Sequence, residues 1–284
     1  GLNKYAEVFG NREAFEQTLL VYDSIVKRIE DGSVKTEPYP IPDGYQSHSL
    51  QMILLNVTQE VEETAKIFPE LLFDHPKAIE ISHHILDQFF LKDGRCIELH
   101  PEQRENDNTL LARHVNPGHL LESVWFHIHT LRESEKSDLE EKLEILGESA
   151  LRALELGWDD QFGGLLRFVD KEGGEPRGIL TGAAYEKLIM ETWDTKLWWP
   201  HSESLYTLLL LYKETNRKVF LEWYDRLFDY IFSTFPNSDQ GIGEWIQIRD
   251  RSGEPINKVV ALPVKDPFHI LRNFILIVKL LEQK

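Results

Sequence analysis

The chain has 284 residues, with 48 acidic and 31 basic side chains and a net charge of −17. That balance leaves no basic surplus to neutralise phosphates, so neither nucleic acid nor an anionic membrane is expected as the main partner. Hydrophobic residues make up 42%, enough to fill a sizeable core, and the single cysteine, Cys96, excludes an intrachain disulfide and a cysteine metal cluster within this chain.

In chain order, the start GLNKYAEVFG has no apolar signal core, and no apolar run reaches the roughly 18 residues that span a bilayer; a cytoplasmic protein is expected. Residues 12–30 place Phe15, Leu19, Tyr22, Ile25 and Val26 at helical spacing and stop at Asp31-Gly32. Three prolines and a glycine between Thr36 and Gly44 predict a rigid loop. Helices follow at about 48–67 and 76–91. Residues 92–116 show little periodicity, with a short strand expected near 95–99. Pro117 suits the first turn of a helix reaching 131, and another helix covers 137–156. The segment from Trp158 to Asp170 breaks the helical pattern. Its Gly163-Gly164 pair predicts a turn into a short strand, with a hairpin partner at 176–179. Helices resume at 183–190, 201–215 and 217–235. A second non-helical island, 241–264, carries candidate strands at 244–249 and 256–261, and a last helix covers 267–281. Eight to ten helices with short connections predict antiparallel helical pairs. They have no repeat of fixed period and no linker, so residues 1–284 are read as one domain. Periodicity alone does not separate a solenoid from a toroid.

Chemistry-bearing residues concentrate at helix starts. His119 and Glu122 share a face in NPGHLLES, and a first-turn histidine oriented by an acid suits general-base work. WDTKLWWPHSES (193–204) combines tryptophan faces that stack on a sugar ring with Lys196, His201 and Glu203, whose groups bond hydroxyls; the plainer reading is that Trp198 and Trp199 fill the core. Asp266, His269 and Arg272 open the final helix. His119 and His269 each follow a proline at a helix start. Were those starts to meet at one mouth, two bases would flank one carbon, an arrangement that removes a proton alpha to a carbonyl and returns it from the other face. Glu122 and Glu203 as a carboxylate pair keep glycoside hydrolysis open, and a non-catalytic scaffold is a third reading. No metal site is expected: His127 and His129 are two apart and cannot face one ion.

Four segments, NPGHLLESVWF (116–126), WDTKLWWPHSES (193–204), GEWIQIRDRSG (243–253) and PFHILR (267–272), stand in the order of the N-acyl-D-glucosamine 2-epimerases, which the chain resembles. HSLQMILLNV (48–57) and GGLLRFVD (163–170) add weaker support. The resemblance implies an all-α fold, an (α/α)6 toroid of six helical hairpins with short β-hairpins in its loops. It implies that His119 and His269 are the catalytic pair. Substrate-side roles would fall to His48, Arg113, Glu122, Lys196, Trp199, Glu203 and Arg272. The implied reaction interconverts N-acylglucosamine and N-acylmannosamine through an enolate at C2 of the open-chain sugar. It requires no cofactor, although some relatives bind ATP as an activator. The implied partner is a small sugar; relatives often form a homodimer, and no motif here sets the oligomeric state. Relatives in the same fold act on other sugars, which keeps aldose–ketose isomerisation as an alternative.

Two departures accompany the resemblance. The toroid has twelve helices, and eight to ten are predicted here, so the ring is expected to be incomplete at the N-terminus. A fragment, a ring completed by another chain, or a shortened relative would each account for that. The stretch 255–265 is also bulkier than the glycine-rich segment expected there, which bears on the N-acyl pocket.

Overall fold

The computed structural model describes the chain except residues 37, 72, 134–135, 240, 258–267 and 283–284. Eleven α-helices appear among the described residues: α1 (Leu2–Phe9), α2 (Arg12–Glu30), α3 (His48–Ala65), α4 (Ala78–Phe89), α5 (Leu110–Arg113), α6 (Pro117–Arg132), α7 (Lys136–Gly157), α8 (Ala184–Thr192), α9 (Trp198–Thr215), α10 (Lys218–Thr234) and α11 (Phe268–Glu282). The count exceeds the expected eight to ten. The extra pieces are α1, too short to display a clear period, and the single turn of α5.

Helices α1, α3, α6, α9 and α11 form one row in which each touches the next. Behind the row lie α2, α4, α7 and α10, each packed on the helix that precedes it in sequence. The row's middle helices are buried nearly all round. α6 and α9 bury residues on every face, including Leu121, Val124, Phe126, Leu208 and Leu211. The outer helices keep a one-sided pattern: α10 buries Phe220, Leu227 and Ile231 and leaves Phe228 and Phe232 exposed. At the ends of the row, α1 exposes Leu2, Tyr5, Val8 and Phe9, and α11 exposes Phe268, Leu271, Ile275, Val278 and Leu281. This is an all-α, incomplete α/α toroid.

Six short strands organise the loops. β1 (Tyr45–Ser47) pairs with β2 (Leu99–Pro101), β3 (His114–Val115) with β4 (Val169–Asp170), and β5 (Lys196–Leu197) with β6 (Ile248–Arg249), all antiparallel. The plan repeats. A strand leads into an inner helix, an outer helix returns, and the loop after it pairs with the strand. The expected hairpin of 165–169 with 176–179 is therefore corrected. Gly173 and Gly174 do turn the chain, but Val169-Asp170 bonds to β3, while Ile179 bridges to Thr109. The candidate strand at 244–249 narrows to β6. That at 256–261 falls largely outside the described residues, as do Asp266 and Pro267.

Candidate active site

The ladders lead into the first turns of α3, α6 and α9. In α6 the Asn116 side chain caps the helix by accepting the His119 N–H at 3.2 Å, and Pro117 occupies the first position, where no N–H is needed. Gly118 follows because nothing larger fits. A Cβ there would lie 2.8 Å from Pro200 Cβ and 2.8 Å from the Trp199 ring. That close approach seats the start of α6 against the start of α9. α9 begins at Trp198, three residues before the predicted start at 201. Pro200 is tolerated because the first-turn N–H groups have no intrahelical acceptor.

The result is a cluster built from three helix starts. The Trp199 ring contacts His119, at 5.2 Å between centroids, and His269, at 5.5 Å. The two histidine side chains are 23% and 20% exposed, whereas the carboxylates behind them are at most 3% exposed. His119 Nδ1 lies 2.9 Å from Glu98 Oε1, and His269 Nδ1 lies 2.6 Å from Glu203 Oε1. A carboxylate on Nδ1 fixes the ring and leaves Nε2 as the nitrogen that takes or gives a proton. Arg272 donates to Glu122 Oε1 at 2.7 Å and to Glu203 Oε1 at 2.6 Å, and Trp125 Nε1 donates to Glu203 Oε2 at 2.8 Å. Glu122, Glu203 and His269 converge closely enough to hold a metal ion. The guanidinium of Arg272 already supplies the positive charge at both carboxylates.

Electrostatics follow from this pairing. Burial favours neutral His119, but the Glu98 carboxylate outweighs it and holds the imidazole above its usual pKa. His269 is raised in the same way, burial being overcome by Glu203 and Glu122. Burial would lift Glu98; the neighbouring His119 and His48 instead hold it well below the usual carboxylate range. Glu122 is raised, by burial and by its neighbour Glu203, while Glu203 is lowered against its own burial by His269 and Arg272.

The structure thus unites His119, Glu122, Trp199, Glu203, His269 and Arg272. Three expected substrate-side residues stand elsewhere. Lys196 is fully buried in β5; its ammonium donates to the carbonyls of Gly163 and Arg251 and lies 3.3 Å from Asp159, so it ties loops together rather than lining a cleft. Arg113 grips Asp170 with two hydrogen bonds, at 3.0 and 2.8 Å, and lies 3.1 Å from Glu172, fastening the β3–β4 ladder. His48 is also fully buried and stands behind Glu98, at 3.6 Å from its Oε2. His201, polar and first-turn by sequence, is a core group: Nδ1 donates to Leu197 O, Nε2 accepts the Leu165 N–H, and burial pushes its pKa down to about 3.

Glu98 is one residue that pattern reading missed. It arrives through the β1–β2 ladder, its carbonyl accepting the His48 N–H at 2.9 Å; Gln247 holds the matching place in the β5–β6 ladder, accepting the Trp198 N–H at 3.0 Å. That correspondence between loops is the signal that could have found it. Arg167 was also missed. It donates to Thr192 at 3.0 Å, its pKa is pushed down to about 10 by burial, and its charge opposes protonation of His119.

Among the described residues, no helix is long and apolar enough to cross a membrane. In comparisons with known proteins, a family model described as N-acylglucosamine 2-epimerase (GlcNAc 2-epimerase) matches residues 6–272. The N-acylglucosamine 2-epimerase of Bos taurus is 28% identical over 277 residues, which cover 95% of this chain and 60% of that protein. The chain therefore spans less than two thirds of that relative's length. Among solved structures, a sugar epimerase from a ruminal bacterium matches with a TM-score of 0.71 at 14% identity, covering 98% of this chain and 68% of that one. A D-mannose isomerase matches with a TM-score of 0.67 at 15% identity, covering 98% and 68%. These likenesses speak for the fold. With the family model spanning nearly the whole sequence, the chain belongs to the N-acylglucosamine 2-epimerase family.

Proposed function

We propose that this protein epimerises sugars at C2 by a two-histidine route, with N-acyl-D-glucosamine and N-acyl-D-mannosamine as its substrate pair. One observation carries the reading: two part-exposed histidines, each backed at Nδ1 by a buried carboxylate, meet at one indole. In the open-chain sugar, one neutral imidazole takes the C2 proton through Nε2, and the electrons move into the C1 carbonyl to give an enolate. The other imidazole, already protonated, returns a proton to the opposite face of C2 and inverts it. Each histidine ends in the state in which the other began, so the reverse reaction resets the pair. On this route Arg272 and Glu122, beside His269, hold sugar oxygens and balance charge as it develops. No redox change occurs, so the route itself needs no cofactor. Assay with and without ATP tests the activator role, and sedimentation tests for a homodimer.

The test is turnover of N-acetylmannosamine in heavy water. The expected outcome is N-acetylglucosamine carrying deuterium at C2, with His119→Gln and His269→Gln each abolishing turnover while retaining the helical circular dichroism of the parent. Absence of C2 exchange with N-acylhexosamines and with mannose would sink the reading. The second reading, aldose–ketose isomerisation, uses the same pair with the proton returned to C1. The fold likeness to a D-mannose isomerase favours including it, and a ketose product from mannose would select it.

A further inference from the structure

Behind His119 lies a second layer that the proton-transfer scheme does not use. Glu98 stands between two imidazoles: Oε1 is 2.9 Å from His119 Nδ1, and Oε2 is 3.6 Å from His48 Nδ1. His48 Nε2 is in turn 3.1 Å from Ser123 Oγ, on α6 one turn after His119. The His48 ring has no exposure, and the aromatic rings of Phe89 and Phe90 pack on it at 5.7 and 6.0 Å. Such a ring touches no sugar in the cleft. Its Nδ1 is buried without a hydrogen bond and faces the one carboxylate that orients His119. With the Ser123 hydroxyl donating to Nε2, Nδ1 carries an N–H directed at Glu98.

We propose that His48 is a positioning residue: with Ser123 it holds Glu98 Oε2, and thereby keeps Oε1 on His119 Nδ1. The proposal gives His48 a role through Glu98 instead of contact with substrate. It rests on the reading of His119 as a proton-transfer group only for its consequence in turnover; the positioning itself can be measured without any substrate. Losing His48 does two things, both of one sign. The carboxylate is released to swing from His119, and it loses a neighbour that favours its ionised form. Both weaken the interaction that raises the His119 pKa. The other groups facing this pair are unchanged by the substitution: Glu122 and Arg167 act on His119, His114 feels the charges of His119 and Glu98, and Tyr185 and Cys96 feel the Glu98 charge. His127, beside His48, is held neutral by burial, its pKa pushed down to about 3.

The experiment is an NMR titration of the His119 imidazole in the parent, His48→Phe, His48→Gln and Ser123→Ala proteins. Phenylalanine keeps the ring packing and removes both nitrogens, whereas glutamine keeps a donor for Glu98. We expect the His119 pKa to fall by about one unit in His48→Phe, to fall less in Ser123→Ala, and to hold near the parent value in His48→Gln. An unchanged or raised His119 pKa in His48→Phe overturns the proposal, as does an equal fall in His48→Gln. If His48→Phe does not fold, Ser123→Ala decides by the same criterion. A protein that shows the expected shifts yet exchanges no C2 hydrogen would reject the epimerase reading and leave the positioning role standing.

Discussion

Replacing Glu98 by glutamine preserves its shape and removes its charge, and the sign of the effect can be worked out. His119 is raised above its ordinary value of 6.5 because Glu98 favours the imidazolium. On the proposed route His119 must be neutral to act as base, so turnover in that direction is expected to fall as pH drops through this raised value. Glu98→Gln removes the cause, and the acid limb of kcat/KM is expected to move to lower pH while kcat drops about a hundredfold, because the ring loses its orienting acceptor. An acid limb that stays in place, measured from pH 5 to 9, would separate Glu98 from the titrating base. The residue scale also shows what spacing can and cannot reveal. His119 and Glu122 were legible because three residues is one helical face; so were His269 and Arg272. Glu98 was not, because its neighbours from Arg95 to Leu99 have no period and its place is set by pairing with residues about fifty positions earlier. The direction of Lys196 was not legible, because local density of polar and aromatic residues says nothing about direction, and β5 turns that ammonium inward onto carbonyls.

At the scale of elements, the long helices could be read from their apolar period, and the ladders could not. Strands of two or three residues are too short to display alternation, and what defines them is a partner in a different loop. The repeated unit of strand, inner helix, outer helix and returning strand was hidden for the same reason: its loops differ in length, so no fixed period survives. These units work by bringing helix starts together, and Gly118 tests that directly. Gly118→Ala would push a methyl carbon against Pro200 and the Trp199 ring. The proline ring cannot yield without moving α9. The variant is expected to lose about 1–3 kcal/mol of stability by denaturant titration, with altered tryptophan fluorescence from a displaced Trp199. Turnover should fall more than the loss of folded protein explains, since Trp199 touches both histidines.

Across the molecule, the charged cluster also fastens the row of helices. Glu122 comes from α6, Glu203 from α9, and His269 and Arg272 from α11, so one guanidinium bonds the last helix to the two before it. This matters most at α11, which ends the row and has many exposed apolar side chains and few buried ones. Arg272→Ala leaves two buried carboxylates facing each other with only His269 to offset them, a change expected to cost about 3–5 kcal/mol at neutral pH. The pH dependence distinguishes this cause from simple loss of packing. Without Arg272, the folded state holds protons on Glu122 and Glu203 more tightly than the unfolded chain does. A raised carboxylate pKa contributes stability below the unfolded value and loses it as pH rises through the folded one. The gap in stability between parent and variant should therefore narrow as the pH is lowered from 8 toward 5. Adding Glu122→Gln to Arg272→Ala should narrow it most near pH 8, where both carboxylates are ionised, by removing one of the repelling charges, and progressively less toward pH 5. A gap that is flat with pH and insensitive to Glu122 would mean that Arg272 stabilises α11 through its contacts with Trp125, Phe126 and Phe268, whose rings lie under its guanidinium.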